Sequence, residues 1–330
     1  MPSPQTPIHS GFGPTTTAWE VLRGIDLTGK VAIVTGGYSG VGLETTRVLA
    51  ESGATVVVPA RTPEKARQAL AGIPRVEQGE MDLLDPESID AFAAGFLASG
   101  RPLDMLINNA GIMGPPLARD GRGYESQLSA NHLGHFQLTA RLWPALLAAG
   151  GARVVALSSR GHQRAGIDFD DPNYEHRAYV PMEAYGQSKT ANILFAVELD
   201  RRGEAHEVRA FAAHPGAVVT DLIRYLPAEA LRGYGISRED PHGSAPAGKT
   251  VEEGGDFKTL EQGAATSVWC ATSPQLARMG GVYCHDVEIA EVRRPDTAGN
   301  DGVAPYAIDP QAAERLWGLS EKMTGVKFDA

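Results

Sequence analysis

Along most of the chain, short unbroken apolar runs alternate with longer stretches whose apolar residues recur every three or four positions. Lys30 to Thr35 (KVAIVT) and Ala54 to Val58 (ATVVV) are runs of the first kind, and Val41 to Ser52 between them is of the second. The same reading predicts further strands near 76–81, 103–108, 153–158, 208–214 and 281–284. Helices are predicted near 63–71, 86–98, 124–147, 185–202 and 261–272. A run that is apolar on successive residues suits a strand covered on both faces, as in a parallel sheet between two helical layers. Repeated strand–helix alternation predicts a single α/β domain, a doubly wound parallel seven-stranded sheet with helices on both faces.

Two connections break the rhythm. Residues 162–184 are polar, and residues 217–258 carry Pro227, Pro241, Pro246 and many glycines. Each is far longer than the roughly 2–6 residues usual between a strand and its helix. Both follow the carboxyl end of a strand, where such sheets bind ligands, so both are expected to roof a pocket. Residues 1–25 read as a flexible arm, 26–290 as the domain proper and 291–330 as a carboxyl-terminal extension.

Composition then removes several classes. Thirty Lys and Arg against forty Asp and Glu leave a net charge of −10, which would repel nucleic acid and anionic membrane surfaces alike. No apolar stretch approaches the roughly 18 residues of a membrane span, and residues 1–17 hold no apolar segment that would serve as signal or anchor. A cytoplasmic location is the expectation. Cys270 and Cys284 allow no disulfide framework and match no common metal spacing, so no metal site is expected.

Chemistry enters at Thr35-Gly36-Gly37-Tyr38-Ser39-Gly40-Val41-Gly42, between the first strand and the first helix of the sheet. Glycine there lets the backbone turn tightly and approach a pyrophosphate, while the helix amino end offers free N–H groups and a positive dipole. Gly36, Ser39, Gly40, Val41 and Gly42 are therefore expected to bind a dinucleotide. The second strand runs out at Val58-Pro59-Ala60-Arg61, without the carboxylate that would accept from a ribose 2′-hydroxyl. A guanidinium suits a 2′-phosphate, so Arg61 favours NADP(H) over NAD(H).

Tyr185-Gly186-Gln187-Ser188-Lys189 places a phenol and an ammonium one helical turn apart, on one face, downstream of Ser158-Ser159 at a strand end. This combination resembles the short-chain dehydrogenase/reductase family over about residues 26–290, a Rossmann-type fold. Further motifs carry the likeness: Asp82-Leu83, which the family sets against adenine; Asn109, Ala110 and Gly111 of NNAG; Asn131; and Pro215, Gly216, Val218 and Thr220 of PGxVxT. The text SKTANILFAVEL looks most like the retinol-dehydrogenase-like group, without that group's usual amino-terminal membrane segment.

The resemblance implies an oxidoreductase that passes a hydride between NADP(H) and a ketone or aldehyde–alcohol pair. Tyr185 would be the acid/base, Lys189 would lower its pKa and hold the nicotinamide ribose, and Ser159, rather than Ser158, would donate to the carbonyl oxygen. Asn131 would hold a water that relays protons past Lys189. Leu222, Ile223, Tyr225 and Leu226 suggest an apolar lid over a fairly bulky apolar substrate. The long helices near 124–147 and 185–202 look like the pair that joins subunits in the family, so a homodimer or homotetramer is expected. Two other readings stay open: an NADP-binding sensor without turnover, and an epimerase or lyase that oxidises only transiently. His132 and His135 read as helix packing, and Asp168, Asp170 and Asp171 as a solvated loop.

Overall fold

The computed structural model describes residues 3–236, 246, 248–294 and 301–328. Parts of the expected roof (237–245 and 247) and of the carboxyl-terminal extension (295–300, 329 and 330) lie outside the described residues.

The first half of the sheet is built by β1 (Val31–Val34), α2 (Gly40–Glu51), β2 (Thr55–Ala60), α3 (Pro63–Ala69), β3 (Val76–Glu80), α4 (Pro86–Ala98) and β4 (Met105–Asn108), preceded by the short α1 (Ala18–Val21). The second half adds α5 (Ser126–Leu128), α6 (Gly134–Ala148), β5 (Arg153–Leu157), α7 (Pro181–Gly203) and β6 (Arg209–His214). Then come β7 (Ala217–Val218), α8 (Ala228–Tyr234), β8 (Phe257–Lys258), α9 (Leu260–Thr272), β9 (Val282–His285), β10 (Glu288–Ile289) and α10 (Pro310–Thr324).

The main sheet runs β3-β2-β1-β4-β5-β6-β9-β10, and β7 pairs with β8 apart from it. Its first seven strands are mutually parallel, as the apolar runs predict. The eighth, β10, is a two-residue antiparallel return that pairs Glu288 with His285, too short to leave an apolar signature. Strand order reverses between β1 and β4, so their carboxyl ends open the crevice in which such sheets bind ligands.

The two sheet edges are treated differently. β3 (VEQGE) is largely exposed and polar, which discourages pairing with another chain. At the other edge the amino-terminal arm, expected to be flexible, is tied down. The Gln5 amide donates to the carbonyls of Tyr283 (2.8 Å) and Ala290 (2.7 Å), and the N–H groups of Ile8 and Ser10 donate to the Glu288 carboxylate. Polar side chains in the arm thus find backbone and carboxylate partners on β9 and β10.

Helices α2 and α9 cover one face of the sheet and α4, α6 and α7 the other, each over its own apolar cluster. The segment 124–147 is not the single helix its pattern predicts. It is α5, a π-helical turn at Ser129–Leu133, then α6. Alpha-helical and π-helical turns bury the same sort of side chains, so periodicity does not separate them. The carboxyl-terminal α10 lies on α7 through an aromatic cluster: the Trp317 ring stacks on Phe195 (6.0 Å) and meets Phe136 edge-on (5.1 Å). Ser320 on α10 bonds the His132 ring at 2.7 Å. The helix pair expected to join subunits is therefore packed by the chain's own extension.

Candidate active site

A cleft of about 800 Å³ opens along the carboxyl ends of β1, β2, β4, β5 and β6. At one end the glycine turn meets α2. Gly36 and Gly40 take φ of +65° and +52°, which side chains rarely adopt. A Cβ on Gly42 would stand 2.4 Å from the Gly36 carbonyl oxygen, so glycine is needed there to seat the helix on the turn. Ser39 is the N-cap of α2 without a side-chain cap bond, leaving the helix amino end to offer N–H groups into the cleft. A Cβ on Gly40 would meet Thr220 at 3.0 Å, so the PGxVxT segment closes over the same turn.

Asn109 and Ala110 are held to this turn by Thr35, whose hydroxyl accepts from both backbone N–H groups at 2.9 and 3.0 Å. The His135 ring bonds that hydroxyl (2.9 Å) and, through Nδ1, the Asn131 carbonyl (2.9 Å). Burial drives the His135 pKa down to about 4, so the ring is neutral and bridges β1 to the π-helical turn. Asn131 itself occupies that turn, the irregularity helices often use at functional sites. Its side chain accepts from the Ile112 N–H (2.8 Å) and donates to the Ile112 carbonyl (3.0 Å) and Ser188 (2.9 Å). The amide thus fixes the strand exit after Gly111. Thr35 opens the glycine motif, but its anchoring of Asn109 and Ala110 and the part played by His135 emerge only from their contacts.

The predicted Tyr185 and Lys189 share one face of α7, with the Lys189 Nζ 5.6 Å from the phenol ring centre. Both line the cleft, although each is almost wholly buried. Lys189 Nζ donates to the Leu157 carbonyl at 3.0 Å. Burial lowers its pKa to about 8. Burial raises that of Tyr185 to about 12, against a smaller downward pull from its hydrogen bond with Ser159. Among the protein's own groups, desolvation outweighs every pull towards a more acidic phenol. A Cβ on Gly111 would lie 3.1 Å from Asn131 Oδ1 and 3.5 Å from Lys189 Nζ, so the NNAG segment borders both.

Ser158 and Ser159 diverge. Ser158 donates to the Lys189 carbonyl at 2.8 Å, whereas Ser159 accepts the Gly161 N–H at 3.0 Å and turns to Tyr185. After Ser159 the long insertion is folded aside by the carboxyl-terminal extension. Tyr306 donates to the His162 carbonyl (2.7 Å), and the Ala304 N–H donates to the His162 ring (3.1 Å).

Arg61 lies at the far end of the cleft with Asp82, Leu83 and Lys65, the last unforeseen from sequence. Lys65 pairs with Asp221 of the roof at 3.2 Å. Pro215, Gly216 and Val218 line the other wall. Leu222, Ile223, Tyr225 and Leu226 line the roof, backed by an apolar cluster of Leu231, Ile236 and Phe257. Asp168 and Asp171 accept backbone N–H groups of their own loop. Tyr283 is buried in β9 and does not line the cleft.

Residues 30–230 match the family model of short chain dehydrogenases. The chain belongs to the short-chain dehydrogenase/reductase family. It is 43% identical over 299 residues to a probable oxidoreductase of Streptomyces lividans, covering 89% of this chain and 97% of that one. It is 36% identical to human retinol dehydrogenase 12 over 92% of this chain and 89% of that protein. A solved, uncharacterised protein from Mycobacterium paratuberculosis superposes with a TM-score of 0.69 at 33% identity, covering 92% and 97% of the two chains. As a family member the chain is an oxidoreductase with a nicotinamide dinucleotide cofactor and a small-molecule substrate. The glycine cradle, the open helix amino end and the cleft beyond them fit that group. No helix among the described residues is long and apolar enough to cross a membrane.

Proposed function

We propose that this enzyme reduces a ketone or aldehyde with NADPH, and runs the reverse oxidation, with Tyr185 as the proton donor. The observation that carries the reading is the meeting of Ser159, Tyr185 and Lys189 on one cleft floor, beside Gly111 and the PGxVxT wall. When bound, the reduced nicotinamide supplies the hydride. Pro215, Gly216, Val218 and the NNAG segment would border its ring, and Gly36, Ser39, Gly40, Val41 and Gly42 would hold the pyrophosphate. Arg61, with Lys65, would take the 2′-phosphate; Ala60, where an acid would favour NAD, is buried and uncharged.

A phenol with its pKa near 12 is fully protonated at neutral pH, which is the form that reduction consumes. Ser159 donates to the substrate oxygen as charge gathers on it. Tyr185 gives up its proton as the alkoxide forms, and the mostly charged Lys189 stabilises the phenolate left behind. Asn131 acts by fixing Ile112 and the backbone around Gly111. The test is absorbance at 340 nm with a panel of ketones and both cofactors. Net NADPH oxidation that Tyr185→Phe abolishes while coenzyme binding persists supports the reading; intact turnover in that variant refutes it.

The oligomer is proposed to differ from the expected one. With Trp317 and Ser320 seated against Phe195 and His132, a subunit contact through α6 and α7 has to displace α10. Any dimer forms on another surface.

A further inference from the structure

The cleft is lined by Arg61, Lys65, Arg160, Arg164, Lys189 and Arg224, but by only two carboxylates among the described residues, Asp82 and Asp221. In a chain of net charge −10, that local excess of cations gives the cleft a field that favours an anionic ligand. The cofactor accounts for one end. Arg61 and Lys65 flank the end of β2, Lys189 belongs to the catalytic floor, and Arg224 folds back onto its own segment, donating to the Asp221 carbonyl at 2.8 Å.

Arg160 and Arg164 remain. They sit on the short helical turn Arg160–Arg164 that follows Ser159, and both line the cleft, Arg160 half-buried and Arg164 exposed. The Arg164 Cβ lies 3.2 Å from where a Cβ on Gly186 would be, one residue past Tyr185. Arg160 is largely enclosed, with its side chain 27% exposed. Its ion pair with Asp256 is long, 3.6 Å, and Asp256 is 72% exposed. Such a rim pair is weak and easily exchanged. The Arg164 guanidinium has no hydrogen bond or ion pair among the described residues. The same cleft is lined by the apolar Leu222, Ile223, Leu226 and Phe257.

We propose that the substrate is a carbonyl compound with an apolar body and an oxyanion, a carboxylate or a phosphate-type group, which Arg160 and Arg164 bind beside the reacting oxygen. This rests on the reductase reading above and deepens it. Guanidinium forks match oxyanions in geometry, and the enclosed position of Arg160 makes the contact stronger than on open surface.

The experiment compares 4-oxo-4-phenylbutanoate, its methyl ester and the corresponding phosphonate as substrates with NADPH. A charged member should exceed the ester in kcat/KM by roughly ten- to a hundredfold at low salt. The preferred anion tells a carboxylate site from a phosphate-type one. The preference should collapse towards unity in R160A/R164A and return in R160K/R164K, with thermal melting and NADPH titration confirming folded protein. An ester as good as both anions, or a preference that survives R160A/R164A, overturns the proposal. Calorimetry of 4-phenylbutanoate against 4-phenylbutanamide on the NADP-loaded enzyme reads the anion site without turnover. If no ketone consumes NADPH, the reductase reading falls, and tighter carboxylate binding lost in R160A/R164A still decides this site.

Discussion

Ser158 and Ser159 are neighbours in sequence with opposite employment: the first hydroxyl is tied to the Lys189 carbonyl at 2.8 Å, the second faces the phenol of Tyr185. The extended backbone at Ser159 (φ −163°, ψ 158°) sends successive side chains to opposite sides. Ser159→Ala should lower kcat roughly 10²–10³-fold, the usual loss of an oxyanion donor, with little change in melting temperature. Ser158→Ala should instead cost about 0.5–1.5 kcal/mol of stability, because it removes one buried hydrogen bond to a carbonyl that helix α7 still engages. Steady-state kinetics and urea denaturation on the pair will show whether the two roles separate; equal kinetic losses would contradict the assignment.

Burial sets the pH dependence through Lys189 and Tyr185. Lys189, held near 8, is charged below that pH and loses its proton above it, while Tyr185 near 12 stays protonated throughout. In the free enzyme, kcat/KM for ketone reduction should therefore be flat below pH about 8 and fall above it. Alcohol oxidation needs the phenolate and should rise with pH instead. Lys189→Arg, which cannot deprotonate in this range, should remove the fall at high pH even if its rate is poor.

Cofactor choice should depend on Arg61 and Lys65. Removing either guanidinium or ammonium should weaken NADPH roughly tenfold or more while leaving NADH nearly unchanged, since only the former carries the 2′-phosphate. Fluorescence titration of each coenzyme measures this. A parallel loss for both coenzymes would place the residues elsewhere.

Buried neutral histidines predict acid sensitivity. Desolvation holds His132 at about 3, and His135 and His162 at about 4, against an ordinary value of 6.5. Their folded-state pKa values are depressed, so the unfolded chain takes up protons first as pH falls below 6.5. The stability present above that pH should drain away between about 6.5 and 3. Shifts of about 2.5 to 3.5 pH units correspond to about 3–5 kcal/mol per group. Urea midpoints at pH 7.5, 6 and 5 should fall steeply, and His135→Asn should make the fall shallower. A flat profile would mean these rings are solvated.

The sheet was legible because covered parallel strands cannot hide their apolar runs, and the glycine turn because a backbone that tight admits no other residue. The motif residues Gly36, Asn109, Tyr185 and Lys189 line one cleft as the pattern implies. What the sequence concealed was of another kind. The π-helical turn at Ser129–Leu133 preserves helical composition, β10 is two residues long, and Lys65 becomes a cleft residue only when α3 is placed against the roof. The direction of the Tyr185 shift also lay beyond the text, since it depends on how much water is excluded around the phenol.

The docking of α10 on α7 bears on how the protein behaves in very small amounts. The rod that carries the phenol and the ammonium is braced by aromatic rings from the same polypeptide, and on the oligomer proposed above its alignment would need no second molecule. Specific activity should accordingly persist at nanomolar dilution, and removing the final twenty or so residues should impair the catalyst more than any thinning of the solution.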